Sequence, residues 1–153
     1  MQIADVIPVS KDAIQVINNI IRGVDVSEPT AEYPGRLDSA LSAIELFIYF
    51  NPYADIYDIA VEYADRIACN HVFVDGNKRT SLLTIVFFLD RNGYEISWLK
   101  DDLHYCIEAL VRKKLDKATF SDFLRNPGVR IDQIKNVVGF DSFPDEDEQD
   151  GRS

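Results

Sequence analysis

Few residues in this chain could cross-link it or hold a metal: among 153 residues there are two cysteines and two histidines. Cys69 and Cys106 each fall among apolar neighbours, where a free cysteine acts as a small buried hydrophobe, so no disulfide is expected. Four such residues at unrelated spacings also exclude a structural zinc site. Positive charge is scarce: 16 Lys and Arg face 26 Asp and Glu, for a net charge of −10. Without a basic field to attract phosphates, direct nucleic-acid binding is not expected. Long apolar runs are missing too. The closest, Leu82 to Leu89, falls far short of the roughly 20 residues that span a bilayer. The first residues, Met-Gln-Ile-Ala-Asp-Val-Ile, have neither the basic start nor the apolar stretch of a signal peptide. A cytoplasmic protein with no membrane partner is expected.

What is present suffices for one domain with a proper core, since 46% of the residues are hydrophobic. We place that domain at residues 1–140 and an acidic, disordered tail at 141–153. In the tail, Asp145-Glu-Asp-Glu-Gln-Asp150 puts five carboxylates in six positions, a run that repels itself.

Hydrophobic spacing predicts helices almost throughout. Ser10 is a candidate N-cap for a helix with apolar residues at 13, 14, 16, 17, 20 and 21, stopped by Gly23. Gly35 to Ser42 reads as a short second helix. Residues 43–53 are ambiguous: Ser42-x-x-Glu45 could be a capping box, whereas Leu46-Phe-Ile-Tyr-Phe50 has the aromatic and β-branched content of a strand. Tyr53 to Asn70 has apolar residues at 56, 59, 60, 63, 64, 67 and 68, the helical period. Further helices are expected over 77–92, 100–113 and from Thr119 to about Arg125, with a final turn or two between Asp132 and Val138. The fold class is all-α.

The densest chemistry lies in His71-Val-Phe-Val-Asp-Gly-Asn-Lys-Arg79. It directly precedes the apolar helix over 77–92, whose first turn offers unpaired N–H groups and a positive dipole end, as an anion site does. His71 is a candidate general base near neutral pH. Asp75 suits a Mg²⁺ that borrows its other ligands from a nucleotide's phosphates; it could equally cap the helix. Gly76 permits a backbone that lets N–H groups converge, and Asn77 can bind phosphate or hold the loop. Lys78 and Arg79 sit where cations are normally unfavourable, which makes sense if an anion binds there. Phe73 reads as an apolar anchor for the loop. No P-loop, kinase Gly-rich loop or Gly-x-Ser-x-Gly elbow occurs.

His71-x-Phe73-x-Asp75-Gly76-Asn77-Lys78-Arg79 resembles the signature of the Fic/Doc superfamily in its Doc (death-on-curing) variant. Pro34-Gly-Arg-Leu-Asp-Ser-Ala-Leu41 resembles a segment upstream of that signature, and the likeness covers roughly residues 10–126. It implies a small helical bundle with the motif between two central helices. It also implies a flap, often a β-hairpin, near residues 43–53, which favours the strand reading of Leu46 to Phe50. By resemblance His71 deprotonates a protein hydroxyl and Asp75 holds Mg²⁺ on ATP. Gly76, Asn77 and Arg79 cradle the phosphates.

Two departures from the Fic pattern bear on the reaction: Lys78 replaces a glycine and Leu82 a second arginine. A lysine there would fill part of the cradle, and the Doc reading is that ATP then binds reversed and presents its γ-phosphate. The expected catalytic set is His71, Asp75, Lys78 and Arg79, with Gly76, Asn77, Lys78 and Arg79 binding the nucleotide. The resemblance thus implies the toxin of a toxin–antitoxin pair, phosphorylating a translation factor such as elongation factor Tu and restrained by a separate antitoxin protein. Two alternatives are transfer of AMP to the hydroxyl and a catalytically silent binding subunit.

Overall fold

The computed structural model describes residues 5–94 and 100–126. The expected turn over 132–138 and the acidic tail lie outside them. Six helices follow in order, α1 (Lys11–Arg22), α2 (Arg36–Phe50), α3 (Ile56–Ala68), α4 (Asn77–Arg91), α5 (Lys100–Val111) and α6 (Lys117–Arg125), and the all-α expectation holds among the described residues. None of these helices is long and apolar enough to cross a membrane.

The centre of the bundle is α3, which packs most extensively on α4 and then on α2 and α6. Its faces explain why: Ile56, Ile59, Ala60, Tyr63, Ala64, Ile67 and Ala68 are all buried. Alanines at 60, 64 and 68 repeat one helical turn apart and let neighbouring backbones approach closely. On α4 the matching face is Ile85, Phe88 and Leu89, each fully buried. Ser81 completes the seam by donating its hydroxyl to the Ala64 carbonyl at 3.1 Å.

The strand reading of Leu46 to Phe50 is not what forms. Residues 36–50 are one helix that begins at Gly35 and runs through both the proposed break and the candidate capping box. The reason is the core stripe: Leu37, Ala40 and Ile44 are buried, and Leu41, Phe47 and Ile48 pack against them, at spacings of three and four. Tertiary burial overrides the local β propensity. Of the residues that suggested a strand, Leu46, Tyr49 and Phe50 point outward, with Tyr49 72% and Phe50 70% exposed. Extended pairing occurs elsewhere, in an antiparallel bridge between Glu32 and Phe73.

Helix α6 also starts before Thr119. Asp116 is its N-cap, accepting from the Thr119 N–H at 2.8 Å. Its last residue, Arg125, reaches back to the start of α3. There Asp55 and Asp58 form a reciprocal capping box, and the Arg125 guanidinium donates to Asp55 at 2.6 and 3.1 Å and to Asp58 at 3.0 Å. Partial burial raises the Asp55 proton affinity, but the Arg125 bond and the N–H groups of Asp58 and Tyr57 together outweigh it and hold the carboxyl below its ordinary 3.8. The unfolded chain therefore takes up this proton first on acidification. Stability from the clamp is present above the ordinary value and is lost as pH falls through the lower folded one. Arg125→Ala should cost about 1 kcal/mol by urea denaturation at neutral pH, a figure kept small because both partners are partly exposed. The deficit should shrink in acid; one that persisted undiminished below about pH 3 would place its source elsewhere.

Candidate functional site

The motif occupies the turn between α3 and α4, and each of its ends is fixed separately. Asn77 closes the loop on itself. Its side-chain amide donates to the Phe73 carbonyl and accepts from the Phe73 N–H, both at 2.8 Å, in a fully buried ring. Of the two roles the sequence left open for Asn77, the side chain takes the one of holding the loop. Phe73 is buried as an anchor, and Val72 beside it, read as filler, is buried as well. The bridge to residues 31–33 supports them through Tyr33 N–H to the Val72 carbonyl and Val74 N–H to the Ala31 carbonyl, both 2.9 Å.

His71 stands at the loop's outer end, exposed, with its backbone in the left-handed region at φ 49°. Arg36, the first residue of α2, donates to the carbonyls of Asn70 and His71 at 3.3 and 3.1 Å while stacking over Tyr33. The upstream segment Pro34–Leu41 therefore has a physical tie to the motif. The imidazole borders an open cleft of about 720 Å³ whose lining includes Cys69, Leu110, Lys113 and Lys117, so solvent and a partner can reach it. Cys69 there is not a second nucleophile: burial first, then Asp65, pushes its thiol up to about 12. Both cysteines are free, as expected.

At the inner end, Gly76 is the N-cap of α4 at φ 77°, and no side chain caps this helix. A Cβ at Gly76 would lie 3.2 Å from the Ile21 side chain and 3.5 Å from the Asn18 amide, so α1 packs directly under the turn. Asn18 is fully buried and donates to the Asp75 carbonyl at 2.9 Å and to the Thr80 hydroxyl at 3.0 Å, spanning the turn from below. The first helical N–H with a partner in the helix is that of Thr80, bonded to the Gly76 carbonyl. The N–H groups of Asn77, Lys78 and Arg79 precede it and have no acceptor within the helix. Asp75 does not cap α4, contrary to the simpler reading of it. One of its carboxylate oxygens is buried and has no hydrogen-bond partner among the described residues. Arg79 is half-buried in the same turn.

Lys78 has a placement the sequence did not suggest. Its side chain is 4% exposed and its ammonium lies 2.8 Å from Glu108 on α5, itself 2% exposed. Arg112, one turn after Glu108 and just past the end of α5, adds a longer contact of 3.4 Å to the other oxygen of Glu108. The lysine fills space behind the turn, and its charge is matched there. Leu82, the other departure from the Fic pattern, is buried in the core.

The structure thus brings His71, Asp75, Gly76 and Arg79 around one helix start, while Asn77 and Lys78 turn inward. Sequence reasoning missed Asn18, Arg36, Glu108 and the extended segment at 31–33. Asn18 had a signal: it falls one turn from Ile14, on the buried face of α1. Glu108 had a weaker one, a carboxylate between Ile107 and Ala109 on an otherwise apolar stripe.

A model of the Fic/DOC family matches residues 5–89, more than half of the chain. The chain belongs to the Fic/DOC family. Among curated relatives it is similar to the protein kinase doc of Escherichia phage P1, with 29% identity over 68 residues, 44% of this chain and 54% of that protein. It is also similar to the toxin Doc of Mycolicibacterium smegmatis, with 34% identity over 64 residues, 41% of this chain and 49% of that protein. The chain spans about half the length of these curated relatives.

Removing the Lys78 charge alone would leave Glu108 buried beside only the longer Arg112 contact. Lys78→Met should therefore destabilise the fold by about 3 kcal/mol, measured by urea denaturation. A loss under about 1 kcal/mol would mean that Arg112 or water takes over the carboxylate.

Proposed function

We propose that this protein is a Doc-like toxin that transfers the γ-phosphate of ATP to a hydroxyl of a target protein in the cytoplasm. One juxtaposition carries the reading. An exposed imidazole, a buried carboxylate oxygen with no partner among the described residues and a glycine-capped helix start converge on a single turn. Similarity to a protein named as a kinase and to one named as a toxin supports the choice of reaction. So does Leu82, which buries a side chain where AMP-transferring relatives are expected to present a second arginine.

The residues fit the groups this chemistry needs. No cluster of three or more His, Cys, Asp or Glu among the described residues could hold a metal by itself. The buried Asp75 oxygen without a partner among them offers one carboxylate ligand, enough for a Mg²⁺ that keeps several waters and takes phosphate oxygens as its other ligands. Once bound, the cation would neutralise charge on the transferring phosphate. The first-turn N–H groups and Arg79 would face the remaining phosphate oxygens.

In the proposed step the imidazole of His71 accepts the proton of the target hydroxyl. The hydroxyl oxygen forms a bond to the γ-phosphorus as the bond to the bridging oxygen breaks, and ADP leaves with that electron pair. Little covalent chemistry falls to the protein. Its contribution is alignment and charge, as is general for phosphoryl transfer. The target we propose is a translation factor such as elongation factor Tu, with a separate antitoxin chain as restraint.

Incubation with the target and ATP labelled at the α or the γ position tests this. Label should reach protein from the γ position only; transfer from the α position would replace the kinase reading with AMP transfer. His71→Ala should lower transfer at least about 100-fold with little change in stability, because the imidazole is exposed. If this variant still arrested growth on expression, a non-catalytic binding role would gain.

A further inference from the structure

The Lys78–Glu108 pair calls for an explanation, because burying two charges does little for stability. The desolvation of both ions roughly cancels their attraction, and an apolar pair of the same volume would serve the core as well. Its position is also unfavourable: Lys78 is the second residue of α4, at the positive end of the helix dipole. A lysine at that point would be expected to lean toward any anion bound at the turn. Here the ammonium is instead held 2.8 Å from Glu108 on the far side, with 4% and 2% of the two side chains exposed.

We propose that Glu108 is a positioning residue of the anion site, which withholds the Lys78 charge from bound polyphosphate. The inference rests on the nucleotide reading above. With the pair intact, the turn presents its main-chain N–H groups and Arg79 to the phosphates, and the lysine contributes volume without charge. Glu108 thereby weakens the hold on a triphosphate, which limits how tightly nucleotide and product are retained. It acts through Lys78 and touches no reacting atom, so it is a positioning residue.

Calorimetric titration of the full chain with ATP and with inorganic triphosphate, at low and high salt, tests this on wild type, Glu108→Gln and the double variant Lys78→Met/Glu108→Gln. Glu108→Gln frees the ammonium and should tighten triphosphate binding about tenfold, with a steeper salt dependence. The double variant stays neutral at this point and should bind within about twofold of wild type. It also guards against misfolding, since neither charge is left unpaired. A folded Glu108→Gln protein that binds no tighter than wild type overturns the inference and leaves the nucleotide reading standing. Tenfold weaker binding by the double variant does the same, since it shows that the anion uses the lysine charge. If no form binds either anion, the nucleotide reading falls and the inference with it.

Discussion

The rest of the structure depends on one requirement: the first turn of α4 must remain open at its N–H groups while being built into a buried environment. Helix starts are ordinarily closed by a side chain, as Ser10 closes α1, Asp55 closes α3 and Asp116 closes α6. At α4, as at α2, a left-handed glycine takes that place and no side chain caps the helix, so the first-turn donors have no acceptor within it. A turn with no cap has to be held from outside. Asn18 holds it from beneath, the bridged segment 31–33 from the side, Arg36 at the histidine end, and Asn77 from within. Each tie engages main-chain atoms of the loop. Its course is therefore set independently of the groups that face solvent.

This arrangement divides the motif into side chains that build and side chains that can act. Asn77 uses both ends of its amide on Phe73, and Lys78 uses its ammonium on Glu108. His71, Asp75 and Arg79 remain at the surface of the turn or half-buried there. A polar signature thus divides between polar groups tied up within the fold and groups that stay at or near the surface of the turn. Burial separates the two more sharply than residue type does.

Much of this was legible in order and little of it in depth. Periodicity located α3 and α4 to within a few residues, because both have one face buried along their whole length and the pattern reports that burial directly. It failed at α2, where Leu46, Tyr49 and Phe50 lie on the exposed face and masked the stripe running from Leu37 to Ile48. Val16 and Ile20 misled in the same way on α1, since both are exposed while Asn18 and Asn19 are buried. The spacing from Ile14 could place Asn18 on the buried face of α1 but not disclose its role, which is set by a loop 57 residues further along the chain. The motif itself could be read residue by residue, yet the direction of Lys78 could not, because its partner lies 30 residues away on another helix.

A trade between stability and openness accounts for the whole arrangement. An uncapped helix start forgoes about 1 kcal/mol that a serine or aspartate would supply, and a buried ion pair adds little in return. α2 forgoes a side-chain cap as well, but only at α4 do an uncapped start and a buried ion pair among the described residues meet at one turn, where the proposed chemistry would occur. The offset is supplied elsewhere, by the alanine-lined seam of α3 and by the Arg125 clamp that fixes the far end of that helix. Because α3 runs from the clamp at Asp55 to within three residues of His71, a restraint at one end of that helix bears on the turn that carries the imidazole at the other.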